Sequence, residues 1–290
     1  MNIVFWRFIL KAASFSYFKA STIEEAVALK DKDENSIFLA GGQSLMPTLN
    51  MRLSAPSYLI DINDIDELKQ IKIDEDAVVI GSLCTHSELL NNEDVKTHFP
   101  ILPKILKHIA HPAIRNRGTH GGSIAYADPA AELPALAVLL NADITVFGSN
   151  GKRTLSANEF YIGLFETKLK IGEIIINIRY PKVKKNEFIF FDEIVRRHGD
   201  YAMAGLMGYA KFDELNISDI RLVFFATGDK PNEAPQAAKY LIKNDFEYDQ
   251  IKNLLKSDID FTSDINSKTE MKAHLSAILL EKMLKEIKNV

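Results

Sequence analysis

The chain has 290 residues, of which 47% are apolar and 26% are charged, and its formal net charge is −4. This composition is ordinary for a globular protein with sizeable cores, and the lack of a basic excess argues against a nucleic-acid partner. The single cysteine, Cys84, cannot supply four ligands to an iron–sulfur cluster or close an internal disulfide. We therefore expect a cytoplasmic protein that holds no such cluster itself.

The N-terminal residues 1–13 are interpreted as an extension that precedes the folded chain. Their apolar run, residues 3–10, is interrupted by Arg7 and is too short to cross a bilayer. No charged side chain stands before the run, as a signal peptide would require. We expect neither a membrane span nor secretion.

Helix starts are predicted at several points of the first half. Ser21, Thr85 and Ser156 are each followed three residues later by glutamate, which is the capping-box pattern. Asp128 and Pro129 have the pattern of an N-cap and a first helical residue. They predict a helix that continues through residues 133–140.

Strands are predicted from short apolar or alternating runs. In the first half these are residues 37–40, 58–62 and 77–80. In the second half they are residues 173–180, 188–195, 204–212 and 220–226. The later runs follow one another, which favours an antiparallel sheet, and two helices should follow them. One helix should begin at Pro235 and a long one after the capping box of Ser267 and Glu270.

Two glycine-centred stretches, residues 40–47 and 118–132, carry the strongest functional signal. Paired glycines allow positive φ and close approach of the backbone to a ligand. Successive N–H groups in such a bend form a concavity that binds anions, and nearby hydroxyl groups add donors. Neither stretch has the dinucleotide fingerprint or the P-loop pattern, and either alone is typical of a tight turn. Together they indicate a ligand with phosphate in its middle, such as a dinucleotide.

The chain resembles the flavoprotein (medium) subunits of molybdenum hydroxylases, the family of carbon monoxide dehydrogenase and bacterial xanthine dehydrogenase. The resemblance extends over nearly the whole chain beyond the first dozen residues. It is carried by residues 15–17, 21–26, 39–53, 115–141, 196–202 and 269–284.

The resemblance implies an α+β fold. An FAD-binding domain of the FAD-linked oxidase or PCMH type, with two α/β subdomains, is expected at residues 14–184. A smaller C-terminal domain, an antiparallel sheet with helices, is expected at residues 185–290.

The resemblance also implies a function. FAD would pass electrons from iron–sulfur clusters on a 2Fe–2S small subunit to NAD, a quinone or oxygen. A large subunit with molybdopterin would oxidise the substrate. The protein would then bind and orient FAD, and no catalytic acid, base or nucleophile is expected in this chain.

The expected FAD contacts follow from the same resemblance. Residues 39–45 would wrap the pyrophosphate and adjacent flavin, and the second stretch would hold the other side. One or both of the carboxylates of Asp128 and Glu132 would accept hydrogen bonds from ribityl or ribose hydroxyls, and Tyr201 could place its ring near the isoalloxazine. The full expected set is Leu39, Ala40, Gly41, Gly42, Gln43, Ser44, Leu45, Ala110, Thr119, Gly121, Gly122, Ser123, Asp128, Glu132, Arg197 and Tyr201.

Alternatives remain open at this point. The chain could be a stand-alone FAD-dependent oxidoreductase, although no active-site acid or base is evident, or an assembly subunit that has lost flavin. Arg197 could face the cofactor or pair with Asp200 in a charged turn. His108, His111 and His120 suggest a metal site, but Pro112 disfavours a helix there and no further ligand completes a set, so none is expected.

Overall fold

A computed structural model describes residues 11–214, 216–265 and 267–288. Most of the extension predicted at residues 1–13 therefore lies outside the described residues. The described chain mixes helices with three main sheets and a two-stranded hairpin, which confirms the predicted α+β class. Across the described residues, every helix is too short or too polar to cross a membrane.

The first unit is a three-stranded parallel sheet with the strand order β1-β3-β2. Its elements are β1 (Ser16–Lys19), α1 (Ile23–Asp31), β2 (Ser36–Leu39), α2 (Leu45–Asn50) and β3 (Tyr58–Asp61). Apolar residues of α1 and β3 pack with Ile174 and Ile176 of the next unit in one buried cluster. The end of β2 is thereby fixed against the second unit, at the point where the first glycine stretch begins.

The second unit is a five-stranded sheet in the order β4-β5-β10-β6-β7, in which all neighbours are antiparallel. Its strands are β4 (Ile71–Ile73), β5 (Ala77–Gly81), β6 (Asp143–Gly148), β7 (Gly151–Ser156) and β10 (Ile174–Pro181), and the hairpin comprises β8 (Tyr161–Gly163) and β9 (Glu166–Thr167). Its helices are α3 (His86–Asn91), α4 (Glu93–His98), α5 (Ile101–Leu106), α6 (Pro112–Arg115), α7 (His120–Tyr126), α8 (Glu132–Leu139) and α9 (Ala157–Phe160), besides a 3-10 turn at Asp66–Lys69.

The strand predicted at residues 173–180 exists, as β10, but it lies in the middle of this second sheet. The sequence placed it in succession with the later strands. This strand is buried on both faces along most of its length. Its near-continuous apolar run therefore does not indicate which strands it pairs with. Strands β6 and β7 were not predicted.

The third unit is a four-stranded antiparallel sheet in the order β11-β12-β13-β14 with three helices on one face. Its elements are β11 (Glu187–Ile194), β12 (Ala204–Asp213), β13 (Asn216–Phe225), β14 (Asn232–Glu233), α10 (Pro235–Leu241), α11 (Tyr248–Asp258) and α12 (Thr269–Ile287). On β12, Leu206 packs toward these helices and Met207 joins the core of the second unit. Successive side chains of β12 point to opposite faces of the sheet. One face therefore packs on the helices of the third unit, and the other packs on the second unit.

Two expectations about this third unit need correction. The sequence predicted two helices, whereas three are present. The missed helix α11 buries only Ile251 and Leu255, which lie one turn apart. Its sequence therefore shows too few apolar residues at helical spacing to predict a helix. The capping box predicted at Ser267 is also wrong, because Lys268 is the N-cap of α12 and makes no side-chain cap bond.

The other predicted caps had mixed outcomes. The capping box of Thr85 and Glu88 is confirmed in full. The first box is shifted by one residue, since Thr22 caps α1 by accepting from the Glu25 amide, and Glu25 in turn accepts from the Ser21 amide. Ser156 does cap α9.

Candidate functional site

A cleft of about 920 Å³ is lined by residues of the first two units and by the turn that follows β11. This volume is at the upper end of the range for small-molecule and cofactor sites. Of the residues expected at the site, all but Leu39 and Arg197 line the cleft. Those that line it are Ala40, Gly41, Gly42, Gln43, Ser44, Leu45, Ala110, Thr119, Gly121, Gly122, Ser123, Asp128, Glu132 and Tyr201.

The first glycine stretch is an open turn between β2 and α2. Gly42 has a φ of 70°, a conformation that a residue with a Cβ adopts at a cost. Within the described chain the amides of residues 41–44 make no hydrogen bond. The side chain of Asn63 holds the turn from behind by donating to the Ala40 carbonyl at 3.0 Å. This unpaired run of N–H groups is suited to an anion.

The paired glycines of the second stretch lie in the first turn of a helix, whereas a bend with free N–H groups was expected. Thr119 is the N-cap of α7, and its hydroxyl accepts from the Gly122 amide at 3.2 Å. The Gly121 amide donates to the Ser82 carbonyl at 2.8 Å. A Cβ on Gly121 would overlap the Ser82 backbone, with its Cα only 2.7 Å away. Gly121 is therefore needed for close packing, and its amide is already bonded.

The two glycine stretches touch each other at one wall of the cleft. A Cβ on Gly41 would overlap the Arg117 carbonyl oxygen and would lie 3.0 Å from the Gly118 Cα. Backbone therefore packs on backbone where the first and second units meet. This contact brings the unpaired amides of the first turn next to the hydroxyl groups of the second stretch.

Arg115 supports the cleft without lining it. Its guanidinium donates to the carbonyls of Ile109 and Ala110, at 2.7 and 2.9 Å. Ala110 has a φ of 43°, which these bonds hold in place. Arg115 therefore supports the backbone of the cleft wall.

Asp128 does not cap a helix, and this expectation is corrected. Its carboxylate accepts from the Ala130 amide at 2.9 Å, and α8 begins only at Glu132, with Ala131 as the N-cap. The Pro129 carbonyl accepts from the Ala226 amide at 2.7 Å. This bond holds the segment before α8 to the third unit as a turn, so Pro129 stands before the helix and not in its first position.

Two of the carboxyl groups that line the cleft, those of Asp128 and Glu132, have raised pKa values. Burial raises the pKa of Glu132 to about 7, and the nearby charge of Asp128 adds to the shift. Burial also raises the pKa of Asp128, against the hydrogen bond from the Ala130 amide, which favours its carboxylate. Tyr201 is 66% exposed, and its interaction with Asp128 lowers the pKa of that carboxyl group, against the effect of burial. Near neutral pH this side of the cleft can both accept and donate hydrogen bonds.

His86 lines the cleft and was missed by the sequence interpretation. It is 5% exposed, and no described group completes a hydrogen bond to either ring nitrogen. Burial lowers its pKa to about 4, although the Thr119 backbone opposes part of the shift, so the ring is neutral. In the sequence it appeared only as the residue after the helix cap Thr85, and nothing marked it as part of a site.

Arg197 lies outside the cleft and does not pair with the Asp200 side chain in the described structure. The Asp200 amide donates to the Arg197 carbonyl at 3.0 Å, which is a turn contact. Gly199, with a φ of 86°, packs against Ala110 and His111 in this turn. The glycine at this point lets the third unit approach the cleft wall closely.

The three histidines considered as metal ligands, His108, His111 and His120, do not form a shared site in the described structure. The His120 Nε2 atom is 2.8 Å from the Tyr180 hydroxyl in a buried pair, and His108 contacts Glu193. Among the described residues, His, Cys, Asp and Glu do not gather into a group of three that could hold a metal ion. Cys84 is 1% exposed and burial raises its pKa to about 12, so its reactive thiolate form is disfavoured.

The comparisons with known proteins agree along the chain. The family described as the FAD binding domain in molybdopterin dehydrogenase matches residues 13–183, and the CO dehydrogenase flavoprotein C-terminal domain matches residues 189–287. The chain is 33% identical over 94% of its length to the glyceraldehyde dehydrogenase medium chain of Sulfolobus acidocaldarius, covering 98% of that relative. It is 34% identical over 78% of its length to the carbon monoxide dehydrogenase medium chain of Hydrogenophaga pseudoflava, covering 77% of it.

Solved structures give the same result. Quinoline 2-oxidoreductase from Pseudomonas putida 86 has a chain that superposes with a TM-score of 0.90 at 31% identity. The match covers 96% of this chain and 99% of that one. Fold and cleft thus define an FAD-binding flavoprotein. The chain belongs to the family of FAD-binding medium subunits of molybdenum hydroxylase-type complexes, and it is an oxidoreductase component.

The residues present fit FAD, the cofactor of this family. A pyrophosphate needs several N–H donors in one bend, and the amides of residues 41–44 are unbonded. The hydroxyl-bearing chain between phosphate and flavin needs acceptors, and Asp128 and Glu132 line the same cleft. The resemblance stated from the sequence is confirmed by the two family matches and by the similar proteins named above.

Proposed function

We propose that this subunit carries electrons from an iron–sulfur cluster on a partner chain through FAD to NAD, a quinone or oxygen. The proposed complex contains a large subunit with molybdopterin and a small 2Fe–2S subunit, and it is cytoplasmic. The single cysteine supports a cluster on another chain, since Cys84 is buried and unsuited as a ligand. Relatives named as medium chains of dehydrogenases support the complex.

The proposed FAD site is the cleft described above. Unpaired amides at residues 41–44, beside a wall that carries Glu132, are the observation that carries this proposal. The turn amides would bind the pyrophosphate, and Thr119 and Ser123 would add hydroxyl donors from the second stretch. Asp128 and Glu132 would hold the ribityl or ribose hydroxyls, with Tyr201 near the isoalloxazine. Gly121 and Gly122 would act by shaping the wall.

Bound FAD supplies the ability to exchange electrons singly or in pairs. The side chains of this subunit would bind and orient it and would set its surroundings. We further propose that residues 14–184 form the FAD-binding domain and that residues 185–290 form the C-terminal domain, whose Gly199 turn and Tyr201 complete the cleft.

The electron route is tested on the complex purified with its partner subunits. The complex is reduced with a substrate of its large subunit or with dithionite. It is then mixed rapidly with NAD, a quinone or oxygen, while flavin absorbance is followed. With one of these acceptors, the rate of flavin reoxidation should exceed the turnover rate of the complex. Reoxidation of the clusters by every acceptor without passage through the flavin would contradict the proposed route.

The site is tested by Glu132→Gln in the full chain. Loss of the carboxylate should weaken FAD binding roughly tenfold, which corresponds to about 1.4 kcal/mol. The matched control is Glu24→Gln, an exposed position on α1. Unchanged affinity in the Glu132 variant, measured by quenching of flavin fluorescence, would remove Glu132 from the site.

A further inference from the structure

Phe165 forms part of the cleft wall, and the proposed binding of FAD does not use it. This residue lies at the tip of the hairpin between β8 and β9, where it lines the cleft and is 49% exposed. Its neighbour in the turn, Leu164, is also exposed. Because hydrophobic stabilisation scales with the apolar area that is buried, a half-exposed ring gains only part of it. Packing alone therefore gives a weak reason for an aromatic ring at this position.

The backbone of Phe165 has an unfavourable conformation. Its φ is 55°, in the left-handed region, where glycine is usual and a residue with a Cβ has an energetic cost. The turn of Leu164 and Phe165 lies between Gly163 and Glu166, which pair across the hairpin. Glycine at position 165 would adopt this turn without strain. A bulky ring at a strained position beside a cleft indicates a role for the ring itself.

The base of this hairpin is fixed in the core of the second unit. Phe160 and Tyr161 are buried there, and the Lys168 amide donates to the Phe160 carbonyl at 2.8 Å. The Arg153 guanidinium donates to the Lys168 carbonyl, also at 2.8 Å. Both ends of the hairpin are thus tied to the sheet, and the tip with Phe165 has a fixed place in the cleft wall.

A second aromatic ring packs on that of Phe165. Tyr126 is the last residue of α7, and its ring centroid lies 5.0 Å from that of Phe165, with an angle of 53° between the ring planes. Tyr126 also lines the cleft and is exposed. It stands two residues before Asp128, with which Tyr201 interacts. The aromatic pair therefore lies on the side of the cleft that carries Asp128 and Tyr201.

Exposed aromatic side chains in a cleft are suited to a flat ring system. Aromatic rings bind planar heterocycles by stacking and by edge contacts, and each such contact adds to affinity. FAD has two planar systems, the isoalloxazine and the adenine, at opposite ends of its pyrophosphate. The pair of Tyr126 and Phe165 shares its side of the cleft with Tyr201, which is proposed to lie near the isoalloxazine. The position of the pair thus favours the isoalloxazine.

We propose that Phe165 and Tyr126 form an aromatic wall that contacts the isoalloxazine of FAD and orients it in the cleft. The inference rests on the proposed position of FAD in this cleft. Binding of the flat ring would bury the exposed parts of both side chains, which offsets the backbone strain at Phe165. The hairpin of β8 and β9 is then a third part of the site, besides the two glycine stretches.

The first test compares Phe165→Leu, which keeps an apolar side chain without the ring, with Phe165→Tyr, which keeps the ring. Binding of FAD and riboflavin to the full chain is followed by flavin fluorescence, and binding of ADP by displacement of FAD. Loss of a stacking contact should weaken FAD and riboflavin roughly tenfold in Phe165→Leu and leave ADP within about twofold. Phe165→Tyr should bind all three ligands as the wild type does, and Tyr126→Leu should also weaken riboflavin.

The matched control is Phe18→Leu. Phe18 packs on Tyr58 with ring centroids 5.3 Å apart and is 43% exposed, so the pair resembles that of Phe165 and Tyr126. Neither Phe18 nor Tyr58 is among the residues that line the described cleft. Phe18→Leu should therefore bind FAD, riboflavin and ADP as the wild type does.

Direct contact with the flavin is tested with Phe165→Trp. Indole is a better electron donor than benzene, so an indole ring against oxidised flavin gives a long-wavelength charge-transfer band. The band should appear when FAD binds to Phe165→Trp and should be missing in Phe18→Trp. Its absence from folded, FAD-loaded Phe165→Trp, or wild-type affinity for riboflavin in Phe165→Leu, would overturn the inference. Loss of ADP affinity alone in Phe165→Leu would also overturn it, because the ring would then contact the adenine.

Stability of the flavin-free chain tests the strain at Phe165 independently. Phe165→Gly should unfold at a higher urea concentration than Phe165→Ala, because glycine alone adopts this φ without cost. Glu214, which is exposed in the turn after β12 and has a φ of 54°, allows the same comparison away from the cleft. Glu214→Gly should likewise be more stable than Glu214→Ala, and both should bind riboflavin as the wild type does.

The outcomes separate this inference from the proposed function. Equal stability of Phe165→Gly and Phe165→Ala would contradict the strain on which the inference rests. A wild type that binds FAD, together with a Phe165→Leu variant that binds riboflavin equally well, would remove the aromatic wall and leave the proposed function intact. A folded wild type that binds neither FAD nor riboflavin would instead contradict the proposed function.

Discussion

The two glycine stretches are alike in sequence, but they differ in what their backbones do. In the first, the amides of residues 41–44 are unbonded and Gly42 has a φ of 70°. In the second, the amides of Gly121 and Gly122 are already bonded, to Ser82 and Thr119. The first is therefore available to a ligand, while the second lets α7 pack closely on the turn after β5. A glycine pair alone does not distinguish these roles.

Gly121→Ala should have the largest effect on stability. The new Cβ would overlap the Ser82 backbone, which cannot move aside as a flexible side chain can. We expect a loss of about 3 kcal/mol in the free energy of unfolding, measured by urea denaturation of the flavin-free chain. The control is Gly163→Ala, where the nearest atom is 3.4 Å from the new Cβ. Equal stability of the two variants would refute a packing role.

Gly42→Ala should reduce FAD affinity more than it reduces stability, whereas Gly121→Ala should mainly reduce stability. Its Cβ would approach only the side chains of Leu39 and Met46, both at 3.2 Å, so the main cost is the positive φ. We expect about 1.5 kcal/mol of destabilisation, and a loss of FAD affinity that exceeds this cost because the turn amides reorient. Gly42→Asn should recover part of both, since Asn tolerates this conformation. An alanine variant that binds FAD normally would place the pyrophosphate elsewhere.

Thr119→Ala should remove the side-chain cap of α7, together with the hydroxyl donor that we propose for FAD. The hydroxyl accepts from the Gly122 amide at 3.2 Å, so its loss should cost about 1 kcal/mol of unfolding free energy. Thr119→Ser should restore most of it. If the serine variant is as unstable as the alanine variant, the threonine methyl group is what matters.

Ser44→Ala should have the smallest effect on stability. Ser44 precedes α2 but makes no side-chain cap bond, so we expect a change within about 0.5 kcal/mol. FAD affinity should nevertheless fall several-fold if the hydroxyl contacts phosphate. Isothermal titration with FAD measures it, and an unchanged dissociation constant would assign binding to the amides alone.

The sequence predicted much of the fold, because periodicity and caps are local signals. Strands β2, β3 and β5 lie within a residue or so of their predicted positions, and the Thr85 cap is confirmed. The partners of β10 could not be predicted, since a strand buried on both faces gives no sign of its neighbours. Helix α11 was missed because its buried face is only two residues wide.

For the candidate site, the sequence predicted which residues take part but not how they contact one another. Resemblance identified fourteen of the residues that line the cleft, but not His86. It also did not show that the Pro129 carbonyl accepts from the Ala226 amide and that α8 begins only at Glu132. It also gave no sign of Glu193 and His108, which meet across 85 positions of sequence. Contacts of this kind depend on how the third unit packs on the second, and no local pattern encodes them.

The most direct measurement is an FAD titration of the full chain labelled with ¹⁵N-glycine, followed by ¹H–¹⁵N correlation spectra. The amide signals of Gly41 and Gly42 should shift most as FAD binds, because their N–H groups gain phosphate acceptors. Gly121, whose amide keeps its bond to Ser82, should shift less, and Gly151, with open space around it, should not move. Stoichiometric FAD binding that leaves Gly41 and Gly42 unchanged would contradict the central claim.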